Sequence, residues 1–149
     1  MLDRETARVL GRELRRSRAL ADAARTLRHR DLSRARLDER LQRRGAGEDA
    51  RTAALETLER AGLVDDGRVA AARARSLAQR GYGDAAIRAA LEDEQVGGEH
   101  VEAALGGLEP EAFRARRLLG PEPDARALRR LAAKGFDLES LGIDAEFAD

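Results

Sequence analysis

The chain has no cysteine and no tryptophan, and its 149 residues include one tyrosine, three phenylalanines and three prolines. Without cysteine there is no disulfide framework, no thiolate nucleophile and no zinc–thiolate site. Aromatics at 3% argue against a surface dedicated to stacking unpaired bases. No apolar run approaches the roughly 18 residues of a membrane span. The opening residues, with Asp3, Arg4 and Glu5, lack the apolar core of a signal peptide, so a soluble cytoplasmic protein is the expectation. β-Branched residues are sparse, and Ala, Leu, Arg and Glu dominate, which points to an all-α protein.

What is present is a repeat. Shifted by fifty residues, the chain matches itself: Arg25 falls on Arg75, Leu27 on Leu77, Arg30 on Arg80, Leu37 on Ile87, Leu41 on Leu91, Leu55 on Leu105 and Leu58 on Leu108. A fixed period of this size predicts tandem helical modules, each with its own small core, stacked into an elongated fold that offers a long face to a partner. That favours binding over catalysis.

The formal net charge of zero conceals segregation. Residues 1–44 hold 14 arginines against 7 acids, whereas residues 81–149 hold 8 basic and 15 acidic groups. A positive head and a negative tail make a large molecular dipole. Lys134 is the only lysine. A high-GC genome accounts for the arginine bias as readily as does the fit of guanidinium forks to carboxylates and phosphates.

The spacing predicts a basic lead-in helix over 1–17, with Arg4, Arg8, Arg12 and Arg16 in a stripe and Gly11 weakening it; a frayed or extended lead-in is the alternative. A three-helix repeat over 18–62 follows, with Leu20, Ala24 and Leu27 inward on its first helix, Ser33 capping a second that buries Leu37 and Leu41, and a third burying Ala54, Leu55 and Leu58. The second repeat, 63–108, opens at Asp65 and Asp66 and buries Val69, Ala70, Ala74, Leu77, Ile87, Leu91, Val101, Ala104, Leu105 and Leu108. An incomplete third repeat with an acidic tail fills 109–149: Phe113, Leu118 and Leu119 are its first apolar residues, Gly120, Pro121 and Pro123 interrupt it, and Leu128 and Leu131 are buried before Gly135. At most a short final helix follows.

Gly62-Leu63-Val64-Asp65-Asp66, then Val69-Ala70, Arg75, Arg80-Gly81-Tyr82-Gly83 and Ile87-Arg88-Ala89-Ala90-Leu91 resemble the central signature of the RecX family, bacterial regulators of the recombinase RecA. Arg30-Asp31-Leu32-Ser33 with Leu37, Leu41 and Gly45 resembles the opening of that family's first repeat, and Lys134-Gly135-Phe136 the turn in its last. The likeness covers roughly residues 18–138, and the order and spacing of the motifs are more specific than any one of them. It implies a crescent of three three-helix repeats that docks on the RecA–single-stranded DNA filament and restrains strand exchange and co-protease activity, with no catalysis and no cofactor. The sequence departs from the family in its short lead-in, in Gln95 where glycine is common, and in Val69 where an aromatic is usual.

Asp65 and Asp66 read better as helix caps than as a metal or catalytic pair, and Glu92, Asp93 and Glu94 as a solvated helix end. His29 and His100 stand in no metal-ligand or triad spacing and are expected at the surface. Gly45-Ala46-Gly47 and Gly81-Tyr82-Gly83 lack the Lys-Ser/Thr of a phosphate loop and read as helix–helix turns. The candidate partner-binding residues are Arg36, Arg40 and Arg44 on the second helix, Arg73, Arg75, Arg80 and Arg88 in the second repeat, and Tyr82 at its turn. The reading is therefore a non-enzymatic, monomeric regulator that binds RecA filaments and inhibits them. The alternatives are a helical DNA-binding protein that meets phosphates through arginine stripes, and a scaffold that self-associates through oppositely charged ends.

Overall fold

A computed structural model of the protein describes residues 1–143; residues 144–149 of the expected acidic tail lie outside the described residues. Among the described residues there are eight helices and no strand: α1 (Arg4–His29), α2 (Arg34–Arg43), α3 (Glu48–Arg60), α4 (Asp66–Gln79), α5 (Asp84–Asp93), α6 (Gly98–Gly106), α7 (Glu111–Leu119) and α8 (Ala125–Ala133). The chain forms two compact units, residues 1–69 and 70–149. The fifty-residue shift is kept in the backbone, since α2 and α5 start at Arg34 and Asp84, and α3 and α6 at Glu48 and Gly98.

In the first unit α1 and α2 both pack on α3. Ala23, Leu37, Leu41, Leu55 and Leu58 close its core, joined by Leu32 and Val64 from the flanking loops. Ala19, Ala50 and Ala54 form a second cluster, and such small side chains let two helix axes approach closely. The second unit repeats the plan with Ala70, Ala74, Leu77, Ile87, Leu91, Val96, Val101 and Ala104. Leu37 and Ile87 are each fully buried at the centre of their own cluster. A satellite core of Ala115, Leu131 and Phe136 sits under α7 and α8.

Two expectations are corrected. The lead-in is not a separate element, because α1 runs unbroken through residue 17 and Gly11 sits inside it. A single glycine costs a helix about 1 kcal/mol, too little to break a run of good helix formers. The inward face of α1 is Ala19, Ala23 and Thr26, with Leu20 and Leu27 partly buried beside them, and Ala24 is only half-buried. Phe113 and Leu118 are 57% and 53% exposed, and Arg114 and Ala115 take the inward positions of α7. After α8 the described chain makes turns through residue 142.

The second helix of each set ends in the same way. Arg44, Glu94 and Lys134 are the C-caps of α2, α5 and α8, and the next residue is left-handed in all three: Gly45 at φ 89°, Gln95 at φ 61° and Gly135 at φ 86°. Only Gln95 carries a Cβ there, in a region that disfavours one. The turns at Gly83 and Gly135 also touch: the Gly83 amide donates to the Lys134 carbonyl at 2.8 Å and the Ala85 amide to the Gly135 carbonyl at 3.2 Å. A Cβ on Gly83 would run into the Gly135 carbonyl.

Helix N-termini leave amides without partners, and here a helix two further along the chain supplies an acceptor twice. Asp66, in the first turn of α4, accepts from the Arg34 amide at 2.8 Å, and Glu111, in the first turn of α7, accepts from the Asp84 amide at 2.7 Å. An arginine from the same turns completes each clasp. Arg68 donates to the Gly62 and Leu63 carbonyls at 2.9 and 3.2 Å and to Asp31 at 3.3 Å. Arg114 donates to the Glu109 and Tyr82 carbonyls, both at 2.9 Å, and to Asp84. Arg114 is 6% exposed and lies over the Phe136 ring at 5.7 Å.

Arg114→Met should lower the unfolding free energy by about 3 kcal/mol, since it strands two carbonyls and a half-covered carboxylate. Gln95→Gly should raise it by about 0.5–1 kcal/mol, by removing the left-handed Cβ. Urea unfolding followed by circular dichroism measures both.

Candidate functional site

Of the eight sequence-predicted site residues, the fold uses some for itself and leaves others open. On α2, Arg36 is half-buried and pairs with Glu39 at 3.1 Å. Arg44 caps the helix and faces Asp22 at 3.7 Å. Arg40 is exposed and carries no ion pair among the described residues. On α5, Arg88 is tied to Glu102 of α6. The stripe on α1 divides likewise: Arg4, Arg8 and Arg12 are exposed, whereas Arg16 binds Asp49 through two nitrogens, at 3.1 and 2.9 Å, and Glu13 at 3.3 Å.

The second unit holds the more open set. Arg73 and Arg75 stand exposed on α4, and Arg80 follows at its end; none has an ion pair among the described residues. The structure brings Arg80 and Tyr82 together and adds Lys134, a residue the sequence reading marked only as the sole lysine. The Arg80 guanidinium lies 5.5 Å, and the Lys134 ammonium 4.2 Å, from the centre of the Tyr82 ring. A ring quadrupole attracts a cation on its face, so the tyrosine holds two cation heads at one turn while its body packs on the core. Arg75 lines a neighbouring cleft with Arg114, Arg117 and Leu118.

Asp65 is a cap, accepting from the Arg68 amide at 3.0 Å, while Asp66 turns to α2 instead. His29 is exposed and His100 half-buried. The sequence reading missed Arg114, Arg130 and Lys134 as partners of this surface. A signal for Arg114 was available: an acid in the first turn with an arginine two or three residues on occurs at both Asp66-Arg68 and Glu111-Arg114.

The ion pairs leave their mark on ionisation. The hydrogen bond from Arg16 holds the Asp49 carboxyl below its ordinary 3.8, and that from Arg88 holds Glu102 below 4.5. Glu111 goes the other way. Burial raises it, outweighing the amide bond from Asp84 that favours its charged form.

Repeated helix sets in a fifty-residue register, clasped at two helix starts, define a class of protein: an all-α protein built of three-helix modules. Residues 65–105 match the family model described as RecX, second three-helix domain. The chain is 38% identical over 130 residues to the regulatory protein RecX of Chromohalobacter salexigens, covering 80% of this chain and 86% of that one. It is 34% identical over 158 aligned positions to the regulatory protein RecX of Xanthomonas axonopodis pv. citri, covering 99% and 98%. The fold is similar to a crystal structure of regulatory protein RecX, with a TM-score of 0.79 at 20% identity over 97% of this chain and 79% of that one. It is also similar to that of RecX from Lactobacillus salivarius, at TM-score 0.74 and 17% identity over 86% and 92%. The chain belongs to the RecX family, whose members are regulatory proteins and not enzymes. No helix among the described residues is long and apolar enough to cross a membrane.

Asp49 and Glu102 have folded pKa values below their unfolded ones, so their stabilisation is present at neutral pH and is lost as pH falls through the depressed values, below about pH 4. Glu111 has the opposite sign: its contribution is greatest at low pH and is lost as pH rises through its raised value. Arg88→Gln should therefore flatten the acid limb of a melting-temperature profile, and Glu111→Gln should lessen the loss of stability on going from the carboxylate range to neutrality.

Proposed function

We propose that this protein binds the RecA–single-stranded DNA filament and restrains its recombinase and co-protease activities. The observation that carries the reading is the set of exposed, unpaired arginines Arg40, Arg73, Arg75 and Arg80 on a chain related to RecX proteins over nearly its whole length. The helices fall into one three-helix repeat through residue 62, a second over 63–108 and an incomplete third, and successive repeats meet neighbouring filament subunits. Contacts that are weak singly then add through effective concentration. Arginine forks on α2 and α4 meet carboxylates or phosphates of the filament, a contact that weakens with salt.

The test is the single-stranded-DNA-dependent ATPase and strand exchange of the cognate RecA. Both should slow on adding the protein, and Arg73→Glu, Arg75→Glu and Arg80→Glu together should raise the concentration needed by about tenfold or more. No effect at molar excess removes the reading. Tight binding to bare DNA at physiological salt, measured by gel shift, supports a DNA-binding protein in its place.

A further inference from the structure

Adjoining the proposed recombinase surface, with which it shares Arg75 and Arg80, we propose that the cleft between the end of α4, α7 and α8 takes an acidic peptide segment carrying one apolar anchor. Its floor is aliphatic, made by Leu118, Leu119 and Leu131 around a cavity of about 220 Å³. That is smaller than small-molecule sites, which start at about 300 Å³, and suits a single inserted side chain. Leu118 is 53% exposed; its methyls stand 3.9 Å from where a Cβ on Gly81 would lie, so it closes the floor yet has no cover of its own. Across Gly81 and Leu118 the groove continues into a second cavity of about 390 Å³ walled in part by Arg75, Arg114 and Arg117, which gives room for an extended segment.

The rim decides the charge of the occupant. Arg80, Arg130 and Lys134 line the cavity, and none has an ion pair among the described residues, whereas Arg16, Arg34 and Arg51 in the first unit each do. Three like charges converge, and Tyr82 holds two of them by its ring, a repulsion that an anionic partner relieves. The same geometry tells a peptide from a nucleic-acid strand. Bases need open aromatic faces, but the Tyr82 face is covered by cations and Phe136 is buried. Carboxylates for the rim and one apolar side chain for the floor satisfy both parts of the groove.

A fluorescein-labelled synthetic peptide with glutamates flanking a Leu-Phe pair, titrated into the intact protein and followed by anisotropy, tests this without any recombinase, so its outcome is separate from that of the preceding reading. The peptide should bind. Binding should weaken about tenfold or more when its glutamates become glutamines, when Leu-Phe becomes Ser-Ser, or when the protein carries Arg130→Glu with Lys134→Glu, or Leu118→Ser. Arg126→Glu, exposed on the same helix, should leave binding unchanged. The peptide-side changes keep the test decisive even where a protein variant fails to fold. Equal binding of the glutamine peptide, binding of oligothymidylate but not the peptide, a Leu118-dependent dimer in sedimentation, or no binding at all overturns the assignment.

Discussion

A short helix that starts in a loop has amide hydrogens to satisfy, and in this chain two such helices, α2 and α5, are served by a carboxylate from a helix that comes after them in sequence. The constraint is steric as well as polar. To reach back, α4 and α7 must begin where Asp66 and Glu111 lie over those helix starts, and Arg68 and Arg114 then fasten the loops on either side. Each clasp fixes where the next helix departs, and the cores form around that geometry. The two are not equally tight: Arg68 is largely in water, while Arg114 is buried with Phe136 beneath it. Desolvation makes the second the costlier to break.

The same clasp shapes the candidate surface. Arg114 donates to the Tyr82 carbonyl, and next to it the amides of the Gly83 turn donate to carbonyls of the Gly135 turn. Tyr82 and Lys134, fifty-two residues apart in sequence, are thereby held close enough for an ammonium to lie on a ring. The exposed cations of the second unit thus rest on an inward-facing scaffold. Elsewhere arginines are spent on cohesion: Arg16, Arg51 and Arg88 each tie one helix to another, which explains why a count of arginines overstates the charge offered to a partner.

Much of the fold was legible because the sequence repeats. Leu37 with Leu41 and Ile87 with Leu91 sit at the spacing of a buried stripe, and Gly45 marks where the first of the two helices stops; all four are buried as expected. The N-terminal boundary expected after residue 17 is absent, because the run of helix formers through that point carries no stop and Gly11 alone is too weak to make one. The third set was less legible, because α7 is too short for periodicity to fix its inward face, which Arg114 and Ala115 take. Of the candidate residues, Arg80 and Tyr82 stand together beside a turn, whereas Arg36, Arg44 and Arg88 are engaged by Glu39, Asp22 and Glu102.

By itself, then, the sequence determined the helical class, the module period and the buried leucine stripes, for these follow from spacing along one chain and need only local geometry. It also excluded thiol chemistry by composition. Only the tertiary structure decided which arginines are paired, that Asp66 and Glu111 serve other helices, and that Arg80, Arg130 and Lys134 gather round exposed Leu118. Those outcomes depend on distances between residues far apart in sequence, and a charged side chain carries no mark of whether its partner will be another part of the chain or another molecule.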